Sequence, residues 1–185
     1  MIIKTERLNL LTLSQDDLHD MYLLHSNEEV AKFNTIGIPM DIDITRKVIA
    51  PLLEETDDNN KTDFSWTIRD QHTNTFMGEL GFSLAPPRYR LATLHYSILP
   101  RYWGKGYATE AALGLIKYCF EELNLHRIEA GCAVDNLASI RVLEKLGMQR
   151  EGRKRKVLPL QSGWSDNYEF AILKEDFESQ PPSPL

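Results

Sequence analysis

Two glycines one residue apart stand between a predicted strand and a predicted helix, in the run LPRYWGKGYAT from Leu99 to Thr109. Glycines let backbone N–H groups turn toward a ligand without obstruction by a Cβ atom. The start of the helix adds unpaired N–H donors and the positive end of the helix dipole. Arg101 and Lys105 add positive charge at the rim. The run therefore predicts a cradle for a diphosphate.

Two commoner phosphate-binding motifs do not fit this run. A P-loop needs a longer glycine spacing followed by Gly-Lys-Ser/Thr, whereas Lys105 is followed here by Gly106. A dinucleotide fingerprint needs a third glycine or alanine where Thr109 stands, and an acidic residue after a following strand. A plain strand-to-helix turn and a binder of another phosphate ligand stay open as alternatives.

Three side chains of predicted strands could act on protons or as a nucleophile. Glu79 stands in the run GELG, where flanking glycines leave room for a substrate beside a carboxylate; the alternative is an exposed strand residue. His95 in the next strand is a rival base with a suitable intrinsic pKa. Cys132 with a histidine base would form a nucleophilic pair, but no local signature surrounds it, and free cysteines usually behave as buried hydrophobic residues.

The elements that must position these residues predict a mixed α/β domain. Alternating apolar residues indicate strands at about 8–13, 64–68, 75–82 and 91–99, the last three forming an antiparallel meander, and further strands at 127–134, 150–158 and 164–173. Helical spacing and caps indicate helices from Ser14 to Ser26, at 27–33, from Asp43 to Glu55, at 109–123 and at 136–146. We expect a twisted, mostly antiparallel sheet of six to seven strands with helices on both faces.

The chain shows no internal repeat and no linker, so residues 1–177 are predicted to form a single domain. Breaks are expected at 35–41 and 56–62. Residues 178–185, which include three prolines, are predicted to be a flexible tail.

Composition and charge restrict the class of protein. The chain has 185 residues, a formal net charge of −6 and 42% hydrophobic residues. This balance argues against nucleic acid and anionic membranes as partners and weakly favours a cationic one. The basic run from Arg153 to Lys156 is predicted to lie on a strand with alternate residues on opposite faces, so it is not expected to form one patch. No signal peptide and no spanning segment is recognised. Two cysteines are expected to be reduced thiols of a cytoplasmic protein, and the absence of zinc spacing predicts no metal.

Read with its flanks, the pattern Arg101-x-x-Gly104-x-Gly106-x-Ala108 resembles the acetyl-CoA loop of the GNAT N-acetyltransferase superfamily. The run from Asn136 to Met148, with the following Glu-Gly pair, is similar to the second cofactor motif of the branch that acetylates ribosomal-protein N-termini. The spacing Trp164-x-Asp166-x-Tyr168 is similar to that branch as well. The likeness extends from Thr5 to Phe177, and it implies an enzyme that moves an acetyl group from acetyl-CoA to a primary amine.

The resemblance also implies a set of cofactor contacts. Two strands would splay near Leu99, and backbone groups of Ile98 and Leu99 would contact the pantetheine arm. Asn136 would hydrogen-bond the same arm, and Ser139 would lie near the thioester sulfur. The pyrophosphate would be held by Arg101, Tyr102, Trp103, Gly104, Lys105, Gly106, Ala108 and Thr109.

Aminolysis of a thioester needs a base for the amine and benefits from an acid for the thiolate. Many family members have a tyrosine seven residues after the asparagine as the acid, but this position is Leu143 here. The resemblance makes Ser139 the substitute acid, and Glu79 is the base candidate. The acceptor stays open between a ribosomal-protein N-terminus, which the resemblance favours, another peptide, an amino acid, a polyamine and an aminoglycoside. A catalytically idle acyl-CoA-binding or regulatory module is the alternative, and homo-oligomerisation stays open.

Overall fold

The computed structural model describes residues 2–53 and 61–179. Within these residues the strands are β1 (Ile2–Lys4), β2 (Leu8–Thr12), β3 (Asp63–Asp70), β4 (Phe76–Leu84), β5 (Leu91–Ile98), β6 (Arg127–Ala133), β7 (Gln149–Leu160) and β8 (Gly163–Leu173). The α-helices are α1 (Leu18–His25), α2 (Glu28–Ala31), α3 (Ile42–Leu53), α4 (Tyr107–Glu121), α5 (Leu137–Lys145) and α6 (Lys174–Ser179).

All eight strands form one sheet in the order β1-β2-β3-β4-β5-β6-β8-β7, in which only β5 and β6 are parallel. The predicted mixed α/β class and mostly antiparallel sheet are confirmed, but the predicted count of six to seven strands was wrong. The missed strand is β1, whose three residues are too few to show a reliable alternation.

Two predicted boundaries differ from the structure, and a third lies largely outside the described residues. The cap of α3 is Asp41, whose side chain accepts the N–H groups of Asp43 and Ile44, so the predicted cap lies inside the helix. The predicted flexible tail overlaps α6 at Glu178 and Ser179, because a short helix follows the last strand. The predicted end of α3 at Glu55 and most of the predicted 56–62 loop lie outside the described residues.

Helices cover both faces of the sheet, as predicted. One core cluster joins Leu80 and Phe82 of β4 to Leu115 of α4. A second cluster joins Met21 of α1 to Ile49 of α3. From Gly78 onward, successive side chains of β4 point to opposite faces, so Glu79 faces α1, and Leu80 and Phe82 face α4. The β3–β4 register shifts before Gly78, so Phe76 packs in the α1 cluster and Met77 in the α4 cluster.

The sheet opens between its two parallel strands. The β5–β6 ladder runs from the Leu91–Arg127 pair to the Leu94–Ala130 pair and ends there. Beyond that point β5 stays paired with β4, and β6 stays paired with β8. The second half of β5 therefore has an edge that faces a gap, with backbone groups free to bind a ligand. The expected splay is present, and it begins directly after Leu94 rather than near Leu99.

Candidate active site

The predicted cradle lies at the start of α4. Gly104 and Gly106 have φ angles of +71° and +83°, in the left-handed region that residues with a Cβ rarely adopt. Gly106 is the residue directly before α4, so the free N–H groups of the first helical turn begin there. Arg101 and Lys105 are exposed beside it, and Thr109 is buried in the first turn. The loop thus has the backbone geometry that anion binding requires.

An arginine from the other end of the sequence also reaches the cradle. The Nη1 of Arg7 donates to the carbonyl of Lys105 at 3.2 Å, and its Nε contacts Glu110 at 2.6 Å. The guanidinium lies over the ring of Tyr107, with 4.5 Å to the ring centroid. A small cavity of about 280 Å³ opens between Arg7 and Gly106. Arg7 therefore adds a third cation to the predicted phosphate site.

The end of β5 only partly supports the predicted pantetheine contacts. Leu99 donates its N–H to the carbonyl of Met77 at 2.9 Å, and its own carbonyl accepts the N–H of Tyr102. Both of its backbone groups are therefore used within the chain. The carbonyl of Ile98 accepts the indole N–H of Trp103 at 2.6 Å, on the loop side. Neighbouring residues of a strand direct their backbone groups to opposite sides. Because the N–H of Leu99 points to β4, the backbone groups of Ile98 point toward the gap.

The start of α5 holds the second predicted cofactor segment. The side-chain oxygen of Asn136 caps the helix by accepting the N–H of Ser139 at 3.1 Å. The amide NH2 of Asn136 makes no hydrogen bond to the described residues, so it stays free to donate to a ligand. Leu143, at the position where many relatives have a tyrosine, is fully buried in the core. The helix therefore presents Asn136 and Ser139 toward the gap and no aromatic acid.

A tyrosine that sequence reasoning missed faces Ser139 from β5. The hydroxyl of Tyr96 lies 2.8 Å from the Ser139 Oγ and 3.4 Å from its carbonyl oxygen. Burial raises the pKa of Tyr96, and the hydrogen bond to Ser139 only partly offsets this. The tyrosine therefore stays neutral at ordinary pH. No local signal marks it, because its partner is 43 positions away in the chain.

Cys132 lies next to this pair as a protonated thiol. Burial raises the pKa of Cys132 to about 11, and a hydrogen bond to Ser139 lowers it only in part. Burial likewise raises the pKa of Cys119 to about 12. At neutral pH both thiols carry little thiolate, and the thiolate is the nucleophilic form. The structure thus gives no support to the cysteine–histidine alternative.

We expect Cys132→Ala to keep kcat within about threefold of the wild type, since only an interaction made in the transition state would change it strongly. Steady-state thiol release measures this directly. A loss of kcat as large as that of a Ser139 variant would indicate that the Cys132 thiol takes part in the reaction.

Glu79 lies on the opposite face of the sheet, toward α1. It is 9% exposed, and its Oε1 is 3.6 Å from the Nε2 of His25 in α1. His25 is 2% exposed, and neither of its ring nitrogens has a hydrogen-bond partner among the described residues. A buried imidazole without partners normally binds water or a ligand group. Glu79 and His25 thus form a buried titratable pair that sequence reasoning did not find.

The glycines beside Glu79 were expected to leave room for a substrate, but the described part of the structure shows no such space. A Cβ on Gly78 would lie 2.1 Å from the carbonyl oxygen of Ser97, and one on Gly81 would lie 2.6 Å from the Nε2 of His95. The space is filled by the neighbouring strand. His95 is an exposed residue. Desolvation by the surrounding protein nevertheless lowers the pKa of its imidazole, and the charges of Glu79 and Asp63 oppose this.

A cavity of about 820 Å³ lies between the end of α2 and the β7–β8 hairpin. Its aromatic walls are Phe33 and Trp164. The basic run from Arg153 to Lys156 was expected to alternate between two faces along a strand. Instead the pairing of β7 with β8 shifts between Lys154 and Leu158. Arg153 and Arg155 are two positions apart and would share a face of a regular strand, but the bulge breaks the alternation and adds Lys156 to the same cavity.

The two polar pairs lie on opposite faces of the sheet, and the cavity reaches the residues that directly follow β6. Tyr96 pairs with Leu80 in the β4–β5 ladder, whereas Glu79 pairs with Ser97. The Tyr96–Ser139 pair therefore lies on the α5 side, and the Glu79–His25 pair lies on the α1 side. Asp135, which lines the cavity, directly precedes Asn136.

Among the residues that the structure describes, no group of three metal-ligating side chains is close enough to hold an ion. No helix in the described part of the chain is long and apolar enough to cross a membrane.

Comparison with known proteins agrees with this arrangement. Residues 7–149 match the protein family described as acetyltransferase (GNAT) domain. YnaD of Bacillus subtilis, described as an uncharacterized N-acetyltransferase, is 33% identical over 182 residues, or 96% of this chain and 99% of YnaD. The crystal structure of a GNAT-family acetyltransferase from Bacillus anthracis has a TM-score of 0.81 at 32% identity, covering 95% of this chain and 99% of that one.

Two further proteins are named for different acceptors. The [ribosomal protein uS5]-alanine N-acetyltransferase of Escherichia coli is 28% identical over 115 residues, which cover 62% of this chain and 59% of that protein. Spermidine N-acetyltransferase of Vibrio cholerae, solved with CoA and spermine, has a TM-score of 0.81 at 20% identity over 93% of this chain and 98% of that one. The second likeness shows the fold alone.

Proposed function

Since the chain belongs to the GNAT family of N-acetyltransferases, we propose that a primary amine attacks the thioester of acetyl-CoA at the gap between β5 and β6. The observation that carries this proposal is the placement of the two polar pairs. Tyr96 and Ser139 approach the gap from one face of the sheet, and Glu79 and His25 approach from the other. A base and an acid on opposite sides of a reacting group suit a displacement at its carbonyl carbon.

The cradle and α5 would hold acetyl-CoA, which supplies an activated acetyl group. The N–H groups that follow Gly104 and Gly106 would bind the pyrophosphate, together with the cations of Arg101, Lys105 and Arg7. The free amide NH2 of Asn136 would donate to the pantetheine arm. The backbone edge of β5 that faces the gap would pair with the amides of the same arm; at Ile98 this contact would be made by the N–H group, because its carbonyl is bonded to Trp103. Holding both reactants in one gap would account for much of the rate acceleration, because the correct orientation of two reactants by itself lowers the activation barrier.

The remaining steps move two protons. An amine arrives mostly as ammonium at neutral pH, and Glu79 would take its proton, directly or through water held by His25. The amine nitrogen then bonds to the acetyl carbon, the carbon–sulfur bond breaks, and the nitrogen gives up a second proton to leave the neutral amide. That second proton would return to Ser139 to replace the one that the serine donates. Ser139 would supply a proton to the departing thiolate. Tyr96 stays neutral because its pKa is raised, so it acts as a positioning residue that holds the Ser139 hydroxyl in place.

The test of the function is the release of CoA thiol with a panel of primary amines. The panel contains a peptide that begins with alanine, spermidine, lysine and an aminoglycoside. We expect thiol release that depends on one class of amine, matched mole for mole by acetylated product in mass spectrometry. Release that is no faster with any amine than without one would contradict the proposal.

Ser139→Ala is expected to lower kcat by about a hundredfold, a usual contribution of an acid–base group. Tyr96→Phe should lower kcat by a smaller factor, about tenfold, since it removes only the hydrogen bond that orients the serine. The dissociation constant of acetyl-CoA, measured by calorimetry, should change little in both variants. A loss of affinity that equals the loss of turnover would make both residues part of cofactor binding alone.

A further inference from the structure

The cavity beside the β7–β8 hairpin has a charge opposite to that of the whole chain. Its lining includes the cations of Lys32, Arg153, Arg155 and Lys156 and the anions of Asp135 and Asp166. The net charge of this lining is positive, whereas the chain carries −6. A local excess of positive charge in an acidic protein points to a ligand with negative charge.

The hairpin is built to hold its cations in this position. The Asp166 carboxylate accepts from the Arg153 Nε at 2.7 Å and from the Lys156 N–H at 2.9 Å. These bonds hold Lys156 at a φ of +51°, which costs a residue with a Cβ about 1–2 kcal/mol. Such strain is kept where the surrounding contacts fix it, often at a functional site. Lys156 and the preceding Arg155 both line the cavity.

Two of the four cations are left available for a ligand. Arg153 is paired with Asp166, and the Nζ of Lys156 donates to the carbonyl of Trp164 at 3.1 Å. Arg155 and Lys32 form no ion pair within the described residues; Lys32 only lies over the ring of Phe33, with 5.1 Å to its centroid. Both are exposed. They flank a space large enough for several residues of a peptide or for a small molecule.

We propose, on the basis of the proposed acetyl transfer, that the acceptor carries carboxylates close to its reactive amine, and that Lys32 and Arg155 bind them. Asp135 lies on the cofactor side of the same cavity, where its carboxylate receives the ammonium before it loses its proton. The acceptor is then a peptide N-terminus followed by acidic residues, or an amino acid with a second carboxylate. A polyamine does not suit the lining, because its second cation would meet Lys32 and Arg155.

The experiment compares acceptors that share one reactive amine. Three peptides begin with alanine and continue with acidic, neutral or basic residues, and free glutamate and spermidine complete the set. We expect kcat/KM for the acidic peptide to exceed that for the neutral one by about tenfold at low salt, with a smaller ratio at high salt. A higher rate with glutamate than with the acidic peptide would identify the amino acid as the source of the carboxylates, and the reverse would identify the peptide.

Charge reversal tests the two cations directly. Lys32→Glu and Arg155→Glu should each raise KM for the preferred acidic acceptor by about tenfold or more while kcat and the neutral peptide change little. Arg155→Lys should keep most of the preference. Lys117→Glu, an exposed change on α4, serves as the matched control and should leave the preference intact.

Two results would contradict the inference in different ways. Thiol release with none of the acceptors would overturn the proposed function and this inference with it. Release that favours spermidine or the basic peptide, or an acidic preference that survives both charge reversals, would overturn the inference alone.

Discussion

Glu79→Gln is expected to lower kcat/KM by about a hundredfold at pH 7, within the usual contribution of a general base. Glutamine keeps the shape of the side chain and removes its ability to take a proton. The loss should shrink as the pH rises above about 8, the usual pKa of an α-amine, because the free amine is then abundant without help. The dissociation constant of acetyl-CoA should hardly change, since Glu79 lies on the opposite face from Ser139 and Asn136.

The measurement is a pH profile of kcat/KM for the variant and the wild type with the best acceptor. Glu121→Gln, an exposed carboxylate on α4, is the matched control and should follow the wild-type profile. A variant that retains the full rate across the pH range would move the base to His25, His95 or bulk water. His25→Gln tests the first of these candidates, because it removes the only imidazole that contacts the Glu79 carboxylate among the described residues.

The cradle was predictable from the sequence because its physics is local. Two glycines, a helix start and two cations stand within a few residues, and their φ angles confirm the backbone geometry that this spacing requires. The strands and helices were predictable for the same reason, since each depends on its own periodicity. Whether these residues bind acetyl-CoA stays a prediction.

The remaining groups of the site come from long-range packing. Tyr96 meets Ser139 across 43 positions, and Arg7 meets Lys105 across 98. His25 contacts Glu79 from a helix whose sequence carries no catalytic signal. No spacing rule covers such pairs, because their distance is set by how β5, α1 and α5 pack around the gap.

The basic run on β7 was misjudged for a related reason. Side chains alternate between the two faces of a strand only while the hydrogen-bond ladder stays regular, and no residue pattern in β7 predicts its bulge. At the bulge, Asp166 on the neighbouring strand binds Arg153 and the backbone of Lys156. A composition of −6 suggested a cationic partner, yet the cavity carries the opposite local charge. The proposal on the acceptor therefore rests on the charge of the cavity and not on the net charge of the chain.

Gly104→Val is expected to weaken acetyl-CoA binding by about 10- to 100-fold, equivalent to the loss of one or two hydrogen bonds to a charged group. An added Cβ would meet no atom within 4 Å, so a steric clash inside the protein does not explain the effect. Gly104 has a φ of +71°, and a β-branched residue leaves this region of backbone space. The N–H groups of the cradle would then turn away from the phosphates.

Gly37→Val is the matched control for this change. Gly37 has a φ of +77° and equally open surroundings, but it lies in the loop between α2 and α3, away from the cradle. Both variants should lose a similar free energy of unfolding in urea, since both impose the same strain on the backbone. Only Gly104→Val should lose affinity for acetyl-CoA in calorimetry. Equal affinity in the two variants would mean that the strain at Gly104 serves the turn alone, and the phosphate-binding assignment of the loop would fail.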